Sequence, residues 1–367
     1  MAAFYAGLDI GGQSIKGIVV DEEGRVREEL ATPTPASQGA QAVLGAIGEV
    51  VGGLSRAGRL SSVGVGTPGG VDERGVIVGM AANISGWYGT GLGEAIASMA
   101  QAPCSVRNDG NIAAYAEWAA RKGGSKCLLF LGLGTGIGGG YIEDGRIMGG
   151  RDDRAVEIGH VIVEPHGRTC ACGVDGCAEA YASGPSIGRL AMAMGRGEDA
   201  RLGSLASAVS ASAVSASAAW TGAASGPLGA SGAAPTFPGS RLAARARAGD
   251  LLNAREVYEA YAAGDLLAAA VDAIAAEALA RAVSIGLAVL APDTVVLGGG
   301  VIAGAPHLPA RIAALAQGRV YSDAWKHCAF EPARLSHRAG LLGAALYGAS
   351  LVLSRAELIA LAAATLG

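Results

Sequence analysis

The sequence has few aromatic residues and little net charge. Only four of its 367 residues are Phe and four are Trp, and the formal net charge is −4. Because no long basic run is present, nucleic acid is not an expected partner. Alanine is abundant, and 59 residues are glycine, a composition that suits closely packed backbones in an α/β protein. The length is sufficient for two domains, each with its own hydrophobic core.

The N-terminus lacks the basic region of a signal peptide, so we expect no signal peptide. No apolar run is predicted to be both long and helical enough to cross a bilayer, so a membrane is not an expected partner. Three of the six cysteines are clustered at metal-ligand spacing, whereas Cys104, Cys127 and Cys328 stand singly in apolar surroundings. Unpaired thiols are typical of a reducing compartment. The sequence therefore predicts a cytoplasmic protein.

The same order of predicted secondary-structure elements occurs twice in the chain. A strand, a glycine turn and a second strand are predicted over residues 5–21 and again over residues 127–143. Such a repeat predicts two similar domains that face each other, with the glycine turns at the mouth of a cleft. Residues 203–238 are rich in Ser, Ala and Gly. We predict a flexible insertion there, because the segment has few large apolar side chains to bury.

One histidine and three cysteines lie within eighteen positions of the chain. They are His160, Cys170, Cys172 and Cys177. Zinc favours nitrogen and thiolate ligands, and four protein ligands leave no open position, so a structural zinc site is predicted. The same stretch carries two carboxylates that zinc does not need, Glu157 and Glu179. Together with the second nitrogen of the metal-bound imidazole, they predict a binding pocket beside the metal.

A glycine turn follows the first strand of each predicted domain. The residues concerned are Asp9, Gly11, Gly12, Gln13, Ser14 and Lys16 in the first domain, and Gly134, Thr135 and Gly136 in the second. Backbone N–H groups at such turns can face an anion, and glycine permits the close approach of phosphate oxygens. Asp9, at the end of its strand, is suited to hold a magnesium ion directly or through water. For the first turn alone, a plain β-turn explains the residues equally well.

The second turn formally contains a G-x-G-x-x-G pattern. A dinucleotide site would require a helix after the glycines, whereas Tyr141-Ile-Glu-Asp-Gly145 predicts a strand and a hairpin turn. The dinucleotide interpretation is therefore rejected. Two opposed hairpin turns instead predict a triphosphate held between the domains, with Gly299 near the nucleoside.

Asn108 and Asp109 stand at a predicted strand-to-helix junction. Either residue alone is explained by helix capping, since Asn and Asp commonly begin helices. The functional interpretation makes Asp109 a general base, which takes the proton from a hydroxyl as the hydroxyl oxygen attacks a γ-phosphate. Asn83 would add an amide to a polyol pocket, although by itself it is explained as a turn residue.

Together these motifs resemble the ROK family of sugar kinases and repressors. The motifs are Asp9-Ile-Gly-Gly12, Gly66-Thr-Pro-Gly69, Asn108-Asp109-Gly-Asn111, Gly134-Thr-Gly-Ile-Gly-Gly-Gly140, Glu157-Ile-Gly-His160, Cys170-Ala-Cys172-Gly-Val-Asp-Gly-Cys177-Ala-Glu179 and Leu297-Gly-Gly-Gly300. The resemblance implies an α/β fold with two actin-like (ribonuclease H-like) domains of the sugar kinase/Hsp70/actin superfamily around a central cleft. We place the domains at residues 1–118 and 119–351, and expect a C-terminal helix over 352–367 to pack back on the first.

The resemblance also implies ATP with magnesium as the donor, a hexose as the acceptor and a structural zinc ion. Asp109 matches the catalytic base of the family. The residues that match its sugar site are Gly69, Asn83, Asn108, Asp109, Glu157, His160 and Glu179, and those that match its zinc ligands are His160, Cys170, Cys172 and Cys177. Residues 179–184 are similar to the glucokinase members, so we expect phosphorylation of glucose to glucose 6-phosphate. A homodimer or homotetramer is the expected assembly.

Two departures from the family pattern keep alternatives open. Gln13 stands where the family usually has Thr, and Arg151-Asp-Asp-Arg-Ala-Val156 replaces a small, Gly-rich approach to the Glu-Ile-Gly-His motif. A kinase for N-acetylmannosamine, N-acetylglucosamine or another hexose is a close alternative. A sugar-sensing repressor would need an N-terminal helix-turn-helix, for which a first strand at residue 5 leaves no room. A non-catalytic sugar-binding protein is a third alternative, which Gln13 keeps open and Asp109 opposes.

Overall fold

A computed structural model of the chain describes residues 2–79, 84–198, 200–209, 237–321 and 323–366. These residues form two compact units. Unit 1 comprises Met1–Phe130, Gly139–Val156 and Ala333–Gly367, and unit 2 comprises Leu131–Gly138 and Glu157–Pro332. The boundaries of the units differ from the predicted division after residue 118. Of the predicted insertion, residues 210–236 lie outside the described part of the chain.

The regular elements alternate along the chain. The strands are β1 (Phe4–Ile10), β2 (Ser14–Asp21), β3 (Val26–Pro33), β4 (Leu60–Thr67), β5 (Cys104–Asn108), β6 (Cys127–Leu133), β7 (Ile137–Glu143), β8 (Arg146–Ile147), β9 (Thr294–Gly298) and β10 (Ala329–Pro332). The helices are α1 (Ala40–Leu54), α2 (Leu92–Ala100), α3 (Asp109–Ala120), α4 (Glu179–Ala182), α5 (Gly184–Arg196), α6 (Arg241–Ala248), α7 (Ala254–Ala262), α8 (Leu266–Leu290), α9 (Gly300–Gly304), α10 (Leu308–Gln317), α11 (Ala339–Ala349) and α12 (Arg355–Leu366). The strands form two sheets, in the orders β3-β2-β1-β4-β5 and β10-β9-β6-β7-β8.

The first sheet brings distant residues to one edge. β1 pairs in parallel with β4, and β4 pairs in parallel with β5. The carboxyl ends of parallel strands meet at the same edge of a sheet, which is where α/β proteins usually bind ligands. In this sheet, Asp9 of β1 is the register partner of Gly66, and Thr67 of β4 is that of Asn108. Asp9 and the junction before α3 therefore lie along one edge of unit 1.

Helices cover both faces of this sheet. Alternate residues of a strand point to opposite faces, and Leu8 and Ile10 lie in the core with Val43 and Ile47 of α1. Gly7, on the other face, lies against the backbone of α11. α11 also contacts β4 and α3, and α12 contacts α3. This packing explains why the C-terminal segment belongs to the same unit as the N-terminal strands.

α11 approaches β4 so closely that Gly64 has no room for a side chain. A β-carbon at this position would overlap the carbonyl oxygen of Ala344 and the backbone nitrogen of Gly348. Backbone atoms cannot give way without moving the whole helix. We therefore expect Gly64→Ala to lower the free energy of unfolding by about 3 kcal/mol, the upper range for overpacked cores. Thermal and denaturant unfolding would measure the loss.

The matched control is Gly45→Ala in α1. Nothing lies within 4 Å of a β-carbon placed at Gly45, and alanine is a better helix former than glycine by about 0.5–1 kcal/mol. This variant should therefore be at least as stable as the wild type. Equal unfolding midpoints for the two variants would contradict the close packing at Gly64.

Helix α8 lies in the core of unit 2. Among the described residues, it is the one helix whose length and composition would allow it to cross a membrane. The sequence predicted no such segment. However, 72% of its most apolar window is buried in the protein, and α8 contacts α5, α7 and α10. Packing against neighbouring helices therefore accounts for its apolar sequence.

Candidate functional site

The glycine turn between β1 and β2 is anchored by Thr34, which follows β3. The Thr34 hydroxyl donates to the Gly11 carbonyl oxygen at 2.6 Å, and its backbone N–H donates to the Gln13 carbonyl oxygen at 3.0 Å. The N–H of Gly11 donates to the carbonyl oxygen of Ser14 at 2.9 Å and closes the turn. The turn therefore has a fixed backbone, while the side chain of Gln13 is exposed. The sequence did not indicate Thr34, because nothing in its spacing connects it with the turn.

Asp9 is the second-to-last residue of β1 and pairs with Lys16 of β2. Burial raises the pKa of the Asp9 carboxyl group, and the positive charge of Lys16 opposes that rise. A β-carbon added at Gly340, in the first turn of α11, would lie 3.1 Å from this carboxylate. Glycine at position 340 therefore leaves space beside the Asp9 oxygens, and carboxylate oxygen is the ligand type that magnesium prefers.

Asn108 connects the end of β5 with two other segments. Its Oδ1 accepts a hydrogen bond from the Gly110 N–H at 2.9 Å and caps α3. Its Nδ2 donates to the carbonyl oxygen of Gly69 at 3.2 Å. Asp109 is exposed at the first position of α3, and its Oδ1 also accepts from the Gly110 N–H, at 2.9 Å. Asn108 therefore caps α3, and this arrangement leaves the Asp109 carboxylate accessible to solvent.

Asp153 is a candidate functional residue that the sequence analysis did not identify. Its side chain is buried, Oδ2 accepts from the backbone N–H of Asn108 at 3.1 Å, and Oδ1 accepts from the Arg107 guanidinium at 2.9 Å. The departure of segment 151–156 from the Gly-rich family pattern was a signal that this region is unusual. Nothing in the sequence, however, indicated a partner 45 residues away.

The four predicted zinc ligands lie together in unit 2. The ligand atoms of His160, Cys170, Cys172 and Cys177 are all within 4.8 Å of one another. The Sγ atoms of Cys172 and Cys177 are 3.7 Å apart, and Cys170 Sγ is 3.7 Å from His160 Nδ1. A tetrahedral zinc ion with Zn–S bonds of about 2.3 Å places two sulfur ligands about 3.8 Å apart. The donor set and the distances therefore fit a closed zinc site.

The loop that carries the cysteines turns sharply at two glycines. Gly173 and Gly176 have φ angles of 89° and 88°, a region that other residues avoid. The N–H of Cys170 donates to the carbonyl oxygen of Val174 at 2.9 Å and keeps the loop tight. Burial raises the pKa of the Cys170 thiol to about 12 and that of Cys177 to about 11. A nearby cation is needed to stabilise ionised thiolates in such surroundings, and a zinc ion would do so because it binds deprotonated cysteines.

Glu179 connects the cysteine loop to the second glycine turn. Its Oε2 accepts from the Ile137 N–H at 2.9 Å, and its Oε1 lies 3.5 Å from Cys170 Sγ. Burial raises the pKa of Glu157, His160 opposes that rise, and the charge of Glu179 adds to it. Glu157, His160 and Glu179 therefore lie close enough for their charges to act on one another. The contact of Glu179 with Ile137 was not predicted.

The second glycine turn and Gly299 are neighbours in unit 2. The Gly134 N–H donates to the Gly136 carbonyl oxygen at 2.9 Å, which closes a turn with Thr135 exposed. Gly299 has a φ of 89°, and a β-carbon there would overlap the carbonyl oxygen of Leu133. Both the dihedral angle and the close approach therefore require glycine at position 299.

The predicted site residues fall into two groups, one in each unit. Unit 1 contains Asp9, the turn 11–16, Gly69, Asn108 and Asp109. Unit 2 contains the turn 134–136, Glu157, His160, Cys170, Cys172, Cys177, Glu179 and Gly299. Asn83 lies outside the described residues. Each group combines a glycine turn with carboxylates, and the second adds the cysteine cluster.

Comparison with known proteins gives the chain a family context. The profile of the ROK family matches residues 5–349. The chain is 34% identical over 184 residues to the glucokinase of Thermotoga maritima, and 32% identical over 194 residues to the N-acetylmannosamine kinase of Shigella boydii. These matches cover 50% and 53% of the chain, and 58% and 66% of the relatives. The chain thus spans less than two thirds of the length of either relative.

A solved structure is similar over nearly the whole chain. It is that of a ROK family glucokinase from Streptomyces griseus in complex with glucose and AMPPNP, with a TM-score of 0.67 and 28% identity. The likeness covers 95% of this chain and 99% of that one. It confirms the predicted fold class, an α/β protein with two actin-like domains.

Proposed function

The chain belongs to the ROK family, and on that premise we propose that it is a sugar kinase, which transfers the γ-phosphate of ATP to a hexose hydroxyl. The observation that carries the proposal is Asp109, an exposed carboxylate at the first position of α3. A carboxylate in this place can act as the general base that accelerates phosphoryl transfer to a hydroxyl. The names of the two relatives, a glucokinase and an N-acetylmannosamine kinase, support the same class of reaction.

Asp109 accepts the proton of the attacking hydroxyl in this proposal. The hydroxyl oxygen forms a bond to the γ-phosphorus, the bond from that phosphorus to the β–γ bridging oxygen breaks, and ADP leaves. The Gly110 N–H, 2.9 Å from Oδ1, orients the carboxylate. Asp109 also lies in the first turn of α3, next to the partial positive charge of the helix N-terminus.

The sugar is held by the carboxylates and the imidazole beside the cysteine cluster. Glu157 and Glu179 accept hydrogen bonds from sugar hydroxyls, and Gly69, Asn83 and Asn108 complete the proposed contacts. His160 directs Nδ1 toward Cys170, at 3.7 Å, so its Nε2 is the nitrogen assigned to a sugar hydroxyl. These contacts select the hydroxyl that reacts, because they fix the orientation of the ring.

The glycine turns bind the nucleotide phosphates in the same proposal. The N–H groups of Gly11 and Gly134 close the turns. The other backbone N–H groups of the turns 11–14 and 134–136, with Lys16, face the phosphates, Gly299 lies near the nucleoside, and Gln13 donates an amide hydrogen bond. A magnesium ion held by Asp9, directly or through water, would neutralise phosphate charge. We further propose a cytoplasmic location and a homodimeric or homotetrameric assembly.

Glucose with ATP should be the preferred pair of substrates, because residues 179–184 are similar to the glucokinase members. We expect kcat/KM for glucose to exceed that for N-acetylmannosamine, N-acetylglucosamine and mannose by about tenfold or more, the discrimination that shaped pockets achieve. ADP release measures the reaction with ATP, and direct detection of the sugar phosphate measures it with GTP or polyphosphate.

N-acetylmannosamine is the second candidate acceptor, because one relative is named as its kinase. A higher kcat/KM for that sugar would replace glucose in the proposal and leave the kinase class intact. If no donor and sugar react, while a sugar still binds in calorimetry, the protein is a non-catalytic sugar-binding protein and the kinase proposal fails.

A further inference from the structure

Asp153 joins the loop after β8 to the last two residues of β5. It is 4% exposed, and its two oxygens accept from the Asn108 N–H at 3.1 Å and from Arg107 at 2.9 Å. Arg107 also donates to the Tyr347 hydroxyl at 2.8 Å and lies 5.5 Å from the centre of its ring. The buried carboxylate therefore connects the end of β5, through Arg107, with α11.

The location of Asn108 gives this contact its importance. β5 is an edge strand of its sheet, so among the described residues no strand accepts its N–H groups on the side away from β4. Asp153 supplies the acceptor for the N–H of Asn108, the residue directly before Asp109. A shift of the backbone at this point would redirect the first turn of α3.

Asp152 and Asp153 share an unusual backbone conformation but differ in the surroundings of their side chains. Asp152 and Asp153 have φ angles of 58° and 53°, in the left-handed region that glycine adopts with the least strain. Asp152 pairs with the exposed Arg151 at 3.4 Å. Asp153 has the same backbone strain, but its carboxylate is buried against β5.

We propose that Asp153 is a positioning residue for the phosphoryl transfer. Its carboxylate fixes the backbone of Asn108, and with it the direction in which Asp109 enters α3. The inference rests on the proposed kinase function, because that function assigns the base to Asp109. It makes the Asp153 side chain a support for the catalytic junction.

The test begins with Asp153→Gly, which removes the carboxylate and relieves the left-handed backbone. We expect kcat for glucose with ATP to fall about 10- to 100-fold, as for a catalytic group displaced by a fraction of an ångström to an ångström, with little change in KM for glucose. Asp153→Asn keeps an acceptor for the Asn108 N–H and should recover most of the lost kcat. In the intact protein, hydrogen exchange of the amides at 108–110 should be faster in Asp153→Gly.

Asp152→Gly is the matched control. It removes the same charge from a neighbouring left-handed position, and its backbone carbonyl can still accept the Val71 N–H that it accepts at 2.9 Å. We expect Asp152→Gly to keep the kcat and the amide hydrogen-exchange rates of the wild type. Equal kcat in the two glycine variants would overturn the positioning role and leave the kinase proposal standing. If the wild type has no kinase activity, the proposed function itself fails. Equal rates of amide hydrogen exchange at residues 108–110 in the two glycine variants would separately contradict the contact between Asp153 and the Asn108 N–H.

Discussion

Asp109→Asn should lower kcat for hexose phosphorylation by about 10²- to 10⁴-fold, the usual loss when a general base is removed. The asparagine side chain has nearly the same shape, and its carbonyl oxygen can accept the Gly110 N–H that Asp109 accepts at 2.9 Å. The fold and the affinity for sugar should therefore be retained. ADP release at saturating ATP and sugar measures kcat, and calorimetry measures sugar binding in the same variant.

Glu94→Gln is the control for the loss of a charge at a helix start. Glu94 is an exposed carboxylate in the first turn of α2, in the same unit as Asp109. Its removal takes away a similar interaction with the helix N-terminus but leaves the junction at Asn108 unchanged. Wild-type kcat in this variant, beside a large loss in Asp109→Asn, would support the assignment. Full activity in Asp109→Asn would mean that another group takes the proton.

Cys172→Ser should abolish zinc binding and destabilise unit 2. Cys172 is exposed, so the exchange of sulfur for oxygen removes little packing, and the effect reports loss of the metal. Structural zinc binds small zinc-finger peptides with about 10–16 kcal/mol at neutral pH, so losing it should cost on the order of 3 kcal/mol or more here. Hexose affinity should fall too, because His160 is both a proposed zinc ligand and a proposed sugar ligand. Metal analysis, thermal unfolding and calorimetry measure the three effects.

Cys328→Ser makes the same atomic exchange in unit 2 outside the cluster. It should keep the zinc content, the unfolding temperature and the sugar affinity of the wild type. A strong chelator added to the wild type should reproduce the behaviour of Cys172→Ser. Purified wild-type protein without zinc, or Cys172→Ser with a full complement of it, would contradict the proposed site.

Features whose residues are close in the chain could be predicted from the sequence. The four cysteine-cluster residues lie within eighteen positions, and their side chains converge because a short loop with glycine turns leaves them few other arrangements. The glycine turns are likewise local, since each joins two adjacent antiparallel strands. The division into two similar domains followed from the same local order, because a strand–turn–strand unit occurs twice, and the resemblance to the ROK family implied the fold class.

The tertiary structure alone decided which distant groups meet. Asp153 reaches the Asn108 N–H across 45 residues, and Glu179 reaches the Ile137 N–H across 42. A carboxylate can accept from any N–H group, so the sequence contains no signal that selects one donor among hundreds. The length and composition of α8 are also compatible with a membrane span, and only its contacts with other helices of unit 2 show that it is a core helix. The sequence by itself therefore determined which candidate ligands cluster locally and indicated the fold class, whereas packing determined the partners of the buried carboxylates and helices.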